Sequence, residues 1–304
     1  MSLPEAMLDA DAGEGDYIAS ELKSASLWGD AWKRFRRNKL ALLGMAFIVL
    51  LLLTAIFADF IAPYSITERD SGEFRSPPSS DHWFGTDIIG RDVFSRIIYG
   101  SRVSLRIGIF STVIAMTIGI IVGSFAGFTG GKTEGFIMRF IDMMLAIPYI
   151  ILAIAVATVF GRSENSVILV LGLTGWLAVS RIVRSTFLQL KKMEYVEAAH
   201  ALGFGKGRIM YRHILPNALQ PIIVFGTIAI GSTILAEAAL SFLGVGPQDP
   251  TPAWGLMVSQ GKGDLANAPH LTLFPGLAIS LTVLAFVFVG DGLRDALDPK
   301  MKDR

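Results

Sequence analysis

Six apolar runs dominate this sequence, at residues 40–62, 105–128, 136–160, 167–188, 218–240 and 271–289. Each reaches the roughly 20 residues that, at a rise of about 1.5 Å, carry a helix across the roughly 30 Å hydrocarbon core of a bilayer. Lipid offers no partner to a bare backbone N–H or C=O, so the runs are predicted to be helices. The expected fold class is an all-α membrane protein of about six transmembrane helices. Composition agrees, with 52% of residues hydrophobic and 17% charged, against about 45–50% and about 25% in soluble domains. The first run follows the basic stretch Trp32-Lys33-Arg34-Phe35-Arg36-Arg37-Asn38-Lys39. A cleavable signal has an apolar region of only about 7–15 residues behind a short leader, so this run reads as an uncleaved first span. Gly119, Gly123 and Gly127 recur at the four-residue spacing that suits close helix packing.

Several function classes drop out. The chain has no cysteine, which excludes disulfides, thiolate nucleophiles and cysteine-built metal sites. His82, His200, His213 and His270 are too scattered to suggest a metal centre, and a net charge of +1 gives no hint of nucleic-acid binding. Gly127-Phe128-Thr129-Gly130-Gly131-Lys132-Thr133 approaches a phosphate-binding loop. The required first glycine is Ala126, however, and an apolar helix rather than a strand precedes it. Asp59 and Asp291 sit singly at span ends. No catalytic residue, metal site or cofactor site is expected in this chain.

The distribution of Lys and Arg sets the expected orientation, with both termini in the cytoplasm. Residues 1–39 form a cytoplasmic tail, its first part small and acidic (Glu5, Asp9, Asp11, Glu14, Asp16). Residues 40–62 are the first span and 63–104 an external segment. Residues 105–293 form a five-helix core that includes a cytoplasmic loop at 189–217, and 294–304 form a tail with Arg294, Lys300, Lys302 and Arg304. In the external segment Arg69, Arg75, Arg91, Arg96 and Arg102 are balanced by Glu68, Asp70, Glu73, Asp81, Asp87 and Asp92. Ile89, Val93 and Ile97 share one stripe there, predicting an amphipathic helix over 88–98 that lies on the membrane or packs on the bundle. A Pro-rich external loop with Trp254 spans 244–275. These two outer elements either meet an external protein or cap the bundle.

The cytoplasmic loop reads Glu194-Tyr195-Val196-Glu197-Ala198-Ala199-His200-Ala201-Leu202-Gly203 and closes at Ile214-Leu215-Pro216-Asn217. Strong helix formers predict a short helix over 193–202, with Gly203, Gly205 and Gly207 permitting a sharp turn. An amphipathic stretch resumes at 208–215, and Pro216 is expected to stop it. Ala198 and Ala199 would let another protein approach closely, and Glu197 would offer a carboxylate to a basic groove. Spacing alone leaves open a plain interhelical connector.

This loop resembles the EAA loop by which the membrane subunit of a bacterial ABC importer docks onto its ATPase. The likeness extends along most of the chain and is closest to the second permease subunit of the dipeptide, oligopeptide and nickel class. It is carried by His82-Trp83-Phe84-Gly85-Thr86-Asp87, Gly90-Arg91-Asp92-Val93-Phe94-Ser95-Arg96, Tyr99-Gly100-Ser101-Arg102-Val103-Ser104-Leu105 and Met138-Arg139-Phe140-Ile141-Asp142. Leu240-Ser241-Phe242-Leu243-Gly244, Pro252-Ala253-Trp254-Gly255 and Gly292-Leu293-Arg294-Asp295-Ala296-Leu297-Asp298-Pro299 add to it. The resemblance implies a type I importer permease of the bacterial inner membrane, with Glu194, Glu197, Ala198, Ala199, Ala201, Leu202, Gly203 and Pro216 at the ATPase-docking surface. It also implies a second homologous permease, two ATPase subunits that bind ATP and Mg, an external solute-binding protein and a di- or oligopeptide substrate. Nickel chelates, glutathione or another small solute remain open.

Charges inside spans cost at least about 2.5–3.5 kcal/mol at the bilayer centre. Asp142 in the third run and Arg181 and Arg184 in the fourth fall at similar depth. Either Asp142 pairs with one of these arginines, bracing the helices that carry the loop, or the arginines snorkel and Asp142 is solvated. Glu237, in Ala236-Glu237-Ala238-Ala239, either lines a pathway or serves the structure. A secondary transporter would show inverted repeats and interrupted helices, and no convincing repeat is present. A membrane-embedded enzyme would need a His/Asp/Glu cluster at one depth, which the histidine positions do not provide.

Overall fold

Asn38 opens the first long helix, its side-chain oxygen accepting the Ala41 N–H at 3.1 Å, a partner for one of the donors a helix start leaves free. The apolar run behind it forms α2, Lys39–Ile56, and the short α1, Leu27–Phe35, precedes it. The computed structural model describes residues 27–70 and 73–297. The acidic stretch ending at Ser26 and the tail residues Lys300, Lys302 and Arg304 lie outside the described residues. There follow α3 Val93–Thr129, α4 Gly131–Leu145, α5 Tyr149–Phe160, α6 Glu164–Leu190, α7 Glu194–Ala201, α8 Leu215–Phe242, α9 Trp254–Gly261 and α10 His270–Leu297. Among the described residues the one β contact is the isolated bridge Thr86–Asp92, so the all-α expectation stands. Five helices are long and apolar enough to cross a membrane, or six if the bent pair α4–α5 is one span.

Three expectations are corrected. The run at 136–160 is not one straight helix: α4 and α5 meet at 85°. Pro148 explains the break, because it has no N–H to donate and its ring would clash with the preceding turn, while Ile147 before it is biased out of the helical region. The amphipathic helix expected over 88–98, on the membrane or packed on the bundle, is helical only from Val93, and it packs on the bundle. Helix α3 starts only at Val93 and runs unbroken to Thr129, about 55 Å at 1.5 Å per residue. Its first turns stand at the end of the bundle opposite the 189–217 loop, with Arg96 buried. Pro216 does not stop the helix before it. Ile209–Ile214 is a π-helical turn that runs straight into α8, where Pro216 falls in the first turn. The wider turn accommodates a residue that cannot donate.

The glycine spacing on α3 sets the closest helix contact. A Cβ at Gly123 would lie 2.6 Å from the Ser180 carbonyl oxygen, and one at Gly127 would lie 2.8 Å from Phe187 Cβ. Helix α6 therefore lies almost backbone to backbone on α3, as small residues permit in lipid. A second layer joins α1, α2 and α10 around Phe35, Ala41, Ile48, Phe286 and Val289, with Ile234 of α8 reaching into it.

Candidate functional site

The loop at 189–217 is built on a packed stub. Val196 and Ala199 of α7 point inward and join Val183 and Phe187 of α6, with Ile209, Ile214 and Ala218 beneath them. The helix ends in a Schellman motif, with Phe204 N–H donating to Ala199 C=O at 3.1 Å and Gly203 N–H to His200 C=O at 3.0 Å. Gly203 takes φ +76° there, a conformation that favours glycine. Phe204 stacks on His213 with centroids 5.6 Å apart, and Arg208 lies 4.5 Å over the Phe204 ring. These contacts hold the loop as a folded unit.

Its outer face is open. Glu194, Glu197, Ala198 and Ala201 are exposed, Leu202 is 73% exposed and Tyr211 65%. Pro216 is exposed as well. Ala199 corrects the expectation that both alanines face a partner, since it is packed inward at 3% exposure. Partial burial raises the Tyr195 phenol above its ordinary range, only partly offset by its hydrogen bond with Asn217.

Arg181 Nη2 meets Asp142 Oδ1 in an ion pair linking α6 to α4. Both side chains are about half exposed, so the pair lies on an open side of the subunit. Arg184 does not join Asp142. Its Nε donates to Glu134 Oε1 at 2.6 Å, making a second α4–α6 tie that sequence reasoning missed. Glu134 is fifty residues before Arg184, and only the α4–α6 packing brings them together. Lys191, just past the end of α6, ties to α3 instead, its Nζ donating to the Phe128 carbonyl at 2.7 Å.

Glu237 is fully buried, which removes it from any pathway wall in this conformation. Ser241 Oγ donates to one carboxyl oxygen at 2.6 Å and Ser104 Oγ to the other at 3.3 Å. It joins α8 to α3 from within.

The end opposite the 189–217 loop is a folded cap. Asp92 caps α3, its Oδ2 accepting the Ser95 N–H at 2.6 Å, while its Oδ1 lies 2.9 Å from His82 Nδ1. Arg91 bridges Asp87 and Asp249, at 2.7 Å to each. Burial alone would raise the Asp249 carboxyl, but the Arg91 hydrogen bond and the Arg91 and Arg96 charges hold it below the ordinary carboxylate range. Trp254, in the loop read as either meeting an external protein or capping the bundle, is wholly buried, its Nε1 donating to the Ile97 carbonyl at 3.0 Å. Trp83, Phe74 and Leu265 are among the exposed large apolar groups of this end.

Two recesses lie along α8. One of about 210 Å³ is lined by Tyr149, Phe225, Ile228, Ser232, Thr233 and Ala236 among others. The second, about 360 Å³, shares Phe225 and Ile228 with it and continues past Val224, Pro221 and Gln220 to Arg294. The strip carries hydroxyls and apolar groups along most of its length, with one charge at its end. Among the described residues no group of three or more His, Asp or Glu could hold a metal ion.

Five or six membrane-length helices, with a folded polar loop at one end and a cap at the other, define a multi-span membrane subunit. Residues 119–303 match the family described as the binding-protein-dependent transport system inner membrane component, and the chain belongs to it. Residues 26–78 match the N-terminal TM domain of oligopeptide transport permease C. The oligopeptide transport system permease protein of Bacillus subtilis (strain 168) is 42% identical over 99% of both chains. The dipeptide transport system permease protein of Alkalihalophilus pseudofirmus is 44% identical over 92% of both. The glutathione transport system permease protein of Escherichia coli O157:H7 is 45% identical over 90% of this chain and 91% of its own. The protein is a multi-pass permease subunit of the bacterial inner membrane, not an enzyme.

Proposed function

We propose that this chain forms half of the translocation pathway of an ATP-driven importer of di- and oligopeptides, coupled to separate ATPase subunits through α7. The single observation that carries the coupling is the exposed face of Glu197, Ala198, Ala201 and Leu202 on a helix whose other face is locked to α6 and α8. A helix held this way moves with the spans, so a push on its open face is transmitted to them. Both termini lie in the cytoplasm in this reading, which puts α7 beside the ATPases and the Arg91–Asp249 cap on the outer side. A second homologous permease completes the pathway, and ATP and Mg stay with the ATPases. The states of the cycle must differ in their affinity for α7, because a ligand shifts an equilibrium only through unequal binding to its two states. The substrate reading is supported by the oligopeptide and dipeptide relatives. The glutathione relative keeps a short peptide-like thiol as the second reading.

The test is Glu197→Lys in cells expressing the full set of subunits, with labelled peptide uptake and ATPase co-purification measured on the same samples. Reversal of an interfacial charge should cut ATPase capture on the order of tenfold, and uptake with it, at normal membrane insertion. Unchanged capture and uptake would make the loop an ordinary connector.

A further inference from the structure

Helix α1 has a use that topology does not exhaust. Its inner face is fixed to the bundle: Ala31 and Phe35 are buried in the core shared with α10, and a Cβ at Gly292 would lie 3.1 Å from the Phe35 ring. The outer side is cationic. Lys33, Arg36, Arg37 and Lys39 are all exposed, and none of the four forms an ion pair among the described residues, whereas Arg34 has a partner. Their depth is set by the chain itself. Asn38 caps α2, and the exposed apolar surface of that span begins at once with Leu40 and Leu43. Trp32, 53% exposed, stacks on Phe35 with centroids 5.9 Å apart and sits where aromatic side chains favour the membrane–water boundary.

We propose that α1 and the start of α2 form a binding surface for anionic phospholipid headgroups. Four cations with no ion-pair partner among the described residues, at the edge of an apolar span, are matched in charge by lipid phosphates, and the neighbouring Leu40 and Leu43 meet the acyl chains. A protein surface would need shape complementarity that this thin rim does not provide. Lipid phosphates need only be close, since each basic residue near a charged membrane gains about 1 kcal/mol. The bound lipid would seat α1 against α10 and so fix the angle at which α2 enters the bundle.

The experiment takes the full-length chain, purified with its co-expressed subunits, into vesicles of phosphatidylcholine alone or mixed roughly three to one with phosphatidylglycerol. Native mass spectrometry reads the lipid retained, and ATPase capture is measured in parallel. Wild type should retain phosphatidylglycerol in preference to phosphatidylcholine, less so at high salt. The triple variant Lys33→Gln/Arg36→Gln/Arg37→Gln should lose on the order of a hundredfold in that preference, about fivefold for each cation removed. Its charge-keeping counterpart Lys33→Arg/Arg36→Lys/Arg37→Lys should retain it. Equal retention of the two lipids by wild type, or equal preference in wild type and the Gln variant, would overturn the proposal. Unchanged lipid preference with lost ATPase capture would overturn it too, making α1 a protein-docking face.

Discussion

Asp142 and Arg181 stand on different helices, thirty-nine residues apart, and meet on an open flank of the subunit. Exposed pairs of this kind contribute about 0.2–1 kcal/mol, so the pair orients α4 on α6 more than it stabilises the fold. Reversing either charge alone should lower uptake, and the double swap Asp142→Arg/Arg181→Asp should restore most of it. Two independent, additive defects would show that the residues act separately. That these groups belong together was legible because both are charges inside apolar runs. The choice of Arg181 over Arg184 was not, since it depends on how α4 turns against α6 and on Glu134 claiming the second arginine. Glu237 divides in the same way. Its cost in lipid marked it as special, but only the fold places Ser104, one hundred and thirty-three residues away, against its carboxylate.

At the scale of elements, the α3–α6 contact is the most exacting. Gly123→Ala would push a methyl to within 2.6 Å of the Ser180 carbonyl oxygen, where backbone rather than a flexible side chain must yield. Overpacking of this kind costs about 1–3 kcal/mol, and a larger residue such as Leu should cost more. Thermal unfolding in detergent should therefore fall in the order Gly123, Ala, Leu, while the same series at Gly135, with nothing within 4 Å of its Cβ, should hold level or rise, because Ala and Leu are better helix formers than Gly. An equal loss at both positions would mean that close approach to α6 does not set the effect. The four-residue glycine spacing announced this contact from the sequence. The break between α4 and α5 was equally readable at Ile147-Pro148, yet hydropathy alone joined the two halves, because an average over a run carries no information about direction. The register of α3 was hidden for a different reason. Asp92 caps it, but the hydrophobic stripe of 88–98 continues across that cap without a change of period.

For the molecule as a whole, the two recesses along α8 share Phe225 and Ile228 and so form one strip, bounded by Tyr149 of α5 at one end and Arg294 of α10 at the other. Nothing in the apolar run 218–240 distinguishes this face from one that meets lipid, which is why pathway residues could not be read from it. Only the arrangement of α5, α6 and α10 around α8 leaves this side hollow. A largely apolar wall with the hydroxyls of Tyr149, Ser232 and Thr233 suits a solute whose side chains vary, since it offers a few hydrogen bonds to a peptide backbone and only Arg294, at its end, favours a charge. If the strip carries solute, Ala229→Trp should fill the recess beside Thr233 and lower peptide uptake on the order of tenfold, the rate cost of about 1.4 kcal/mol added to a barrier. ATPase capture should stay at its wild-type level, because α7 lies at the far end of the preceding loop. The contrast with Glu197→Lys is the informative part: one variant loses transport with its motor attached, the other loses the motor itself. Normal uptake by Ala229→Trp, with the protein folded and inserted, would move the pathway off this face of α8.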